Sequence, residues 1–263
     1  MKRYLLLTGF LCGVLYSSAQ EYSVIHVLGK IYDSKTKAYL APGSRLDATS
    51  ALRFETPDAK AAVLSPAKGR LILQRTSGGD NQSDLVYTLA GLITPVKGKL
   101  SSRAGGINNV VDFVNRFGDG NTAWIGDTYT AVVSPLAYPM DEKRFFFVRY
   151  LYRGEVINKR LDSRGDTLIF ERKRFYSVDS APVEPSETSE HALHYYDAAT
   201  GKAIRLTALS FVSISDDEFG RLAAELKGFD GEDKIDVLRE VITGLYGSVS
   251  DSDIISALRR IGK

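Results

Sequence analysis

Residues 144–157 read Arg144-Phe-Phe-Phe-Val-Arg-Tyr-Leu-Tyr152, Arg153-Gly154, then Glu155-Val-Ile157. Aromatic and β-branched residues fill the first run, a glycine follows a polar break, and a second short apolar run begins at once. Two antiparallel strands joined by a tight turn carry this signature. The pattern continues on both sides. Trp124-Ile125, Tyr129 to Val133, Thr167-Leu-Ile-Phe170, Ala192 to Tyr196 and Ala203 to Ile214 are strand-like runs, with turn signals at Arg164-Gly-Asp166 and Thr200-Gly201. Their spacing predicts an antiparallel meander. Phe145, Phe146, Phe147, Tyr150 and Tyr152 are expected in its core, a binding groove being the alternative. Ser180 to Glu190, acidic and proline-bearing, is expected to be a mobile loop.

Upstream, Gly106 to Phe117 predicts a helix: Ile107, Val110, Val111, Val114 and Phe117 recur at helical steps and form one apolar stripe, expected to pack on the sheet. Asp84 to Val96 is apolar and compatible with helix or strand. Downstream, three amphipathic helices are expected between Asp216 and Gly262. Their stripes are Phe219, Leu222, Ala223 and Leu226; Ile235, Leu238, Ile242 and Leu245; and Ile254, Leu258 and Ile261. Ser215-Asp-Asp-Glu218 is a capping box, and Gly228 and Gly247 stand where the first two helices should stop. The expectation is intramolecular packing, as a small bundle or a cap on the β domain.

The N-terminal third consists of short apolar runs between turn residues: Val24 to Leu28, Lys30-Ile-Tyr32, Leu52-Arg-Phe54, Ala61 to Leu64 and Arg70 to Leu73, with turns at Pro42-Gly43 and Lys68-Gly69. Such runs predict a compact β domain. Gly29, then Leu40-Ala-Pro-Gly-Ser-Arg-Leu46, Leu52-Arg-Phe54, Ala59-Lys-Ala-Ala-Val-Leu64 and Gly69-Arg-Leu-Ile-Leu73 resemble the FecR-type periplasmic domain, a β-rich module of envelope signalling regulators. The resemblance implies a fold for this region and assigns no functional residue. Such regulators usually carry a cytoplasmic segment and a membrane helix ahead of the domain, a pattern from which this sequence departs.

What precedes it here reads as an export signal. Lys2 and Arg3 form a positive start, Tyr4 to Leu15 an apolar stretch and Ser17-Ser-Ala19 a small-residue cleavage site, placing the mature start near Gln20. The apolar stretch falls short of the roughly 20 residues of a spanning helix. The full chain has 34 Lys and Arg against 32 Asp and Glu; the signal removes Lys2 and Arg3 and no acid, leaving 32 against 32. A nucleic-acid partner, which needs a basic stripe, is not expected. Cys12 is the only cysteine and lies in the signal, so the mature chain has no disulfide or thiolate chemistry.

The expected organisation is therefore mainly β with α: signal peptide 1–19, FecR-like β domain 20–75, linker 76–83, a mainly antiparallel β domain 84–215 with the acidic loop at 180–190, and C-terminal helices 216–263. Chemistry is sparse. His26 is expected as a half-buried strand residue. His191 and His194 lie at an odd spacing and would point to opposite faces of one strand, so they cannot share a metal ion. Gly118-Asp-Gly-Asn121 and Asp230-Gly-Glu-Asp233 lack the ligand spacing of a calcium loop, Thr94 to Lys99 lacks that of a phosphate loop, and no serine sits in a nucleophile elbow. No catalytic, cofactor or metal residue is assigned, and no cofactor is expected. The sequence reads as an exported, non-enzymatic binding, adaptor or structural protein of a Gram-negative envelope, in the periplasm or attached to the envelope, with another envelope protein as partner and no spanning segment in the mature chain. The alternatives are an envelope hydrolase with an unrecognised site and a sensor component of envelope signalling.

Overall fold

The structure is a computed structural model that describes residues 21–47, 49–65, 69–75, 86–88, 93–95, 106–118, 120–226, 228 and 231–262. The expected signal peptide and the linker at 76–83 lie outside them. The chain is mainly β, with several antiparallel sheets and a helical C-terminus.

The first β unit has two sheets. One runs in the order β4 (Arg45–Leu46), β1 (Tyr22–Leu28), β6 (Lys60–Ser65), β7 (Gly69–Gln74), β9 (Ile93–Pro95). The other runs β3 (Ala38–Tyr39), β2 (Ile31–Asp33), β5 (Ala51–Phe54), β8 (Val86–Thr88). Tyr22, Ile31, Leu52, Val63 and Leu73 close its core. β8 pairs with β5 and β9 with β7, so the chain beyond 76–83 returns to this unit before entering the next. The ambiguous apolar stretch 84–96 thus supplies two further strands.

The second unit is built on a four-stranded antiparallel sheet in the order β13 (Glu155–Arg160), β12 (Arg144–Tyr152), β18 (Thr188–Asp197), β19 (Lys202–Ala208). Beside it lies a sheet ordered β11 (Thr128–Val132), β15 (Thr167–Glu171), β14 (Asp162–Arg164). The run Ala203 to Ile214, expected as one strand, breaks. Leu209 turns into the core, its N–H donating to the His191 carbonyl, and β20 (Phe211–Ile214) then pairs in parallel with β10 (Thr122–Ile125). The stretch 180–190, expected as a mobile loop, contains short regular elements. After the helical turn α2 (Arg172–Phe175), β16 (Ser177–Val178) and β17 (Ala181–Pro182) form a hairpin, a 3-10 turn covers Pro185–Glu187, and β18 begins at Thr188. Val183 holds it down, buried and donating its N–H to the Tyr176 carbonyl.

The apolar stripe of residues 107–117 is corrected more sharply. The α-helix α1 spans only Val110–Phe113 and continues as a π-turn, Val114–Gly118. Ile107 stays outside it, bridged to Val133. The side chains that pack inward are Phe113, on Tyr138 and Phe146, and Phe117, on Tyr129 and Phe170. Val110, Val111 and Val114 face outward. Large rings bury more area than valines, and the wider π-turn lets both reach the sheet.

The tail forms α3 (Asp216–Glu225), α4 (Gly231–Leu245) and α5 (Asp251–Ile261). Ser215 and Ser250 cap α3 and α5 by accepting from the Glu218 and Asp253 N–H groups. The expected stripes are largely the buried ones, with Val237, Val241 and Ala257 added. They share a single core with Ile25, Ala62 and Ile72 of the first unit and Ala123, Ile125 and Ile214 of the second. The tail is thus the packing layer between the two β units. Gly244 lets α4 close on β7: a Cβ there would stand 2.5 Å from Ile72 Cγ1. No helix among the described residues is long and apolar enough to cross a membrane.

Candidate functional site

His26 is not a solitary strand histidine. An irregularity in β1 between Val24 and His26 breaks the alternation and turns His26 toward the tail, where it is 7% exposed, and its Nε2 lies 2.8 Å from the Tyr246 hydroxyl just beyond α4. Tyr246 donates to Glu218 Oε1 at 2.6 Å, at the start of α3. Since the phenol proton goes to Glu218, His26 Nε2 carries the hydrogen that Tyr246 accepts. Glu218 therefore satisfies only half of its capping box: its N–H bonds Ser215, while its carboxylate points across the junction. The hydrogen bond from the His26 side pulls the Glu218 carboxyl below the ordinary glutamate range, and burial with the Glu218 contact pushes the Tyr246 phenol up. These three groups join β1, α3 and α4. Tyr246→Phe, which removes both bonds, is expected to lower stability by about 2 kcal/mol, read from the urea midpoint at unchanged m-value; an unchanged midpoint would mean the junction adds nothing.

A second polar junction fixes α5 to the other unit. The π-turn aims Arg116 Nε at the Tyr129 hydroxyl, 2.8 Å away, with its guanidinium 3.5 Å from Asp253. Burial raises both the Tyr129 phenol and the Asp253 carboxyl. Both groups of titratable residues are engaged in holding the tail.

The outward face of the four-stranded sheet differs. Pairing register sets Arg160, Phe147, His194 and Arg205 side by side across β13, β12, β18 and β19. Phe147 and His194 stack, with ring centroids 5.0 Å apart and planes 18° from parallel. Arg149 lies 5.7 Å above the Phe147 ring and Arg160 4.3 Å above Phe145, which packs on Tyr196. All three arginines are exposed. Arg149 bonds a neutral amide, Asn158, and Arg160 a backbone carbonyl, that of Asp141. Arg205 has no carboxylate partner among the described residues. The nearby acids are committed: Asp141 to Arg144, Asp197 to the turn amide of Ala199. Phe146, Val148, Tyr150, Leu193 and Tyr195, on the opposite face, form the core. Of the five aromatics read together in sequence, Phe146, Phe147 and Tyr150 are buried, Phe146 and Tyr150 in the core and Phe147 on the other face beneath Arg149 and beside His194, while Phe145 is partly exposed and Tyr152 packs at the core margin.

His191 and His194 point to opposite faces. His191 lies among Tyr150, Phe175 and Tyr176, while His194, buried as well, stacks on Phe147 on the other face. Burial holds both imidazoles below the ordinary value, and Arg149 and Arg205 add to this at His194. Below about pH 6.5 the unfolded chain takes up protons that the folded state resists, so stability falls as pH falls. The depressed Glu218 acts in a lower window: its contribution is intact above the ordinary glutamate value and is lost as pH falls through its folded one. The melting temperature is expected to decline from about pH 7.5 to about pH 5.5, and to decline less in the His191→Phe, His194→Phe double variant. Parallel curves would contradict the assignment.

Among the described residues no three His, Cys, Asp or Glu side chains gather as a metal site. The sequence reading missed the His26 junction, in which His26 and Tyr246 are 220 residues apart, and the arginine set, of which Arg149, sharing a face of β12 with Phe145 and Phe147, was detectable from two-residue alternation. Family models, curated proteins and solved structures offer no match to the chain.

Proposed function

We propose that this protein is an exported, non-enzymatic binding component of the bacterial envelope, and that its working surface is the outward face of β12, β13, β18 and β19. The observation that carries the reading is the set of three exposed arginines, Arg149, Arg160 and Arg205, on one sheet face, none of them ion-paired to a carboxylate among the described residues. Arg149 and Arg160 lie over aromatic rings, which pre-orients their guanidinium groups as donors for an anionic partner. In contrast, the His26, Tyr246 and Glu218 side chains spend their hydrogen bonds on one another. The basic start, apolar stretch and small residues at 1–19, and the FecR-type resemblance, support the envelope setting.

The test is made on tagged full-length protein in its native cells. A photocrosslinking residue at position 205 is expected to yield an adduct, whereas one at position 166 is not. Processing near Gln20 in the envelope fraction is expected from the same sample. An intact Met1 terminus in the cytoplasm, or adducts independent of position, would overturn the reading.

A further inference from the structure

β13 (Glu155–Arg160) ends its sheet, and among the described residues no strand pairs with its outer side. The strand at the opposite end, β19, has α1 and the π-turn packed against it. The phase of the β12–β13 ladder decides which groups of β13 face out. The Leu161 N–H donates to the Phe146 carbonyl at 2.9 Å, and in an antiparallel pair such bonds recur at every second residue, so residues 155, 157 and 159 bond inward to β12. The N–H and C=O groups of Val156, Asn158 and Arg160 therefore point away from the sheet, and no described residue bonds them. All three residues are exposed, Val156 by 56%.

An open edge is ordinarily blunted by a proline, a bulge or an unmatched charge. β13 has neither proline nor irregularity in its pairing. Glu155 and Lys159 share one side of the strand with Ile157, which stands midway between them, and neither is ion-paired among the described residues. A two-fold copy can pair here only with the axis through a residue of β13, because an axis between residues would set outward amides against inward ones. With the axis at Ile157, Glu155 faces the partner's Lys159 and Lys159 the partner's Glu155, while the outward amides of Val156 and Asn158 bond their counterparts. Every other placement loses these pairs. An axis at Glu155, Lys159 or Arg160 sets a charge against its own copy, one at Val156 sets Lys159 against the partner's Arg153, and one at Asn158 sets Lys159 against the partner's Ile157. We propose that β13 pairs antiparallel with β13 of a second copy about an axis at Ile157, joining two four-stranded sheets into one of eight strands. Arg160 then falls opposite the partner's Gly154, which has no side chain to cover it, so the outward arginines stay open.

Sedimentation equilibrium of the purified full chain at up to about 200 μM tests it, the range suiting a small strand-edge contact. A reversible monomer–dimer equilibrium is expected. Glu155→Lys and Lys159→Glu, each setting like charges across both pairs, should weaken dimerisation at least about tenfold, and the two combined should restore it. Near-ultraviolet circular dichroism that matches the parent's confirms that each variant is folded. Amide exchange locates the contact: Val156, Asn158 and Arg160 should be protected in the parent dimer and exchange quickly in either single variant. A parent that stays monomeric overturns the proposal and leaves the edge to a strand of another protein. A dimer that ignores the single reversals, that the combination fails to restore, or that leaves those three amides unprotected overturns it as well.

Discussion

Trp124→Ala is expected to lower stability by about 4 kcal/mol, a melting shift of roughly 10 °C for a chain of this size. Trp124 is fully buried at the centre of β10. Its ring meets Tyr129, Phe170, Phe175 and Phe211 edge-on at centroid distances of 6.4, 6.5, 5.7 and 5.0 Å, and Arg172 approaches at 5.5 Å while donating to the Trp124 carbonyl. Removal leaves a cavity bounded by rigid rings, which cannot collapse into it as flexible side chains would. Differential scanning calorimetry measures the shift. A loss under about 1 kcal/mol would mean the aromatic cluster repacks freely, contrary to the close ring contacts.

Gly247→Ala is expected to have a comparable effect, about 4 kcal/mol, from a single methyl group. Two separate terms add. The residue has φ of +121°, a region an L side chain adopts only with strain. Its added Cβ would lie 2.1 Å from the Asn121 carbonyl oxygen, which accepts from the Ser248 N–H, while Ser248 in turn accepts from Ala123. The chain leaving α4 is stitched to β10 at this point, so a displaced residue 247 pulls the tail away from the second unit. Thermal melting checks the size of the loss. Hydrogen exchange checks the place: amides of residues 246–249 and of β10 should lose protection before those of β12. Uniform loss would contradict a local stitch.

Legibility in the sequence followed the distance over which each cause acts. The Arg153-Gly154, Arg164-Gly-Asp166 and Thr200-Gly201 turns were readable because turn chemistry is local, as were the Ser215 cap and the buried stripe of α3. The outward Val110, Val111 and Val114 were misread because helical period alone does not say which residues of a broad apolar surface are buried, and Phe113, outside the expected stripe, with Phe117, within it, outweighs three valines in buried area. The break at Leu209-Ser210 depends on β10 as a distant parallel partner. Parity within β12 gives Phe145, Phe147 and Arg149 a common face. Joining them to His194 and Arg205 requires the register past the irregularity between Leu193 and His194, which no single strand encodes.

Arginine-selective footprinting probes the proposed working surface itself, without assuming any particular ligand. Phenylglyoxal labelling followed by peptide mass spectrometry is run on the protein in intact envelopes and on the purified full chain. If the outward face of β12, β13, β18 and β19 is occupied in the cell, Arg149, Arg160 and Arg205 are protected in the envelope and reactive when purified, while exposed Arg164 reacts equally in both. Equal reactivity of the three in both samples would contradict a working surface there and would shift attention to the outward valines of α1.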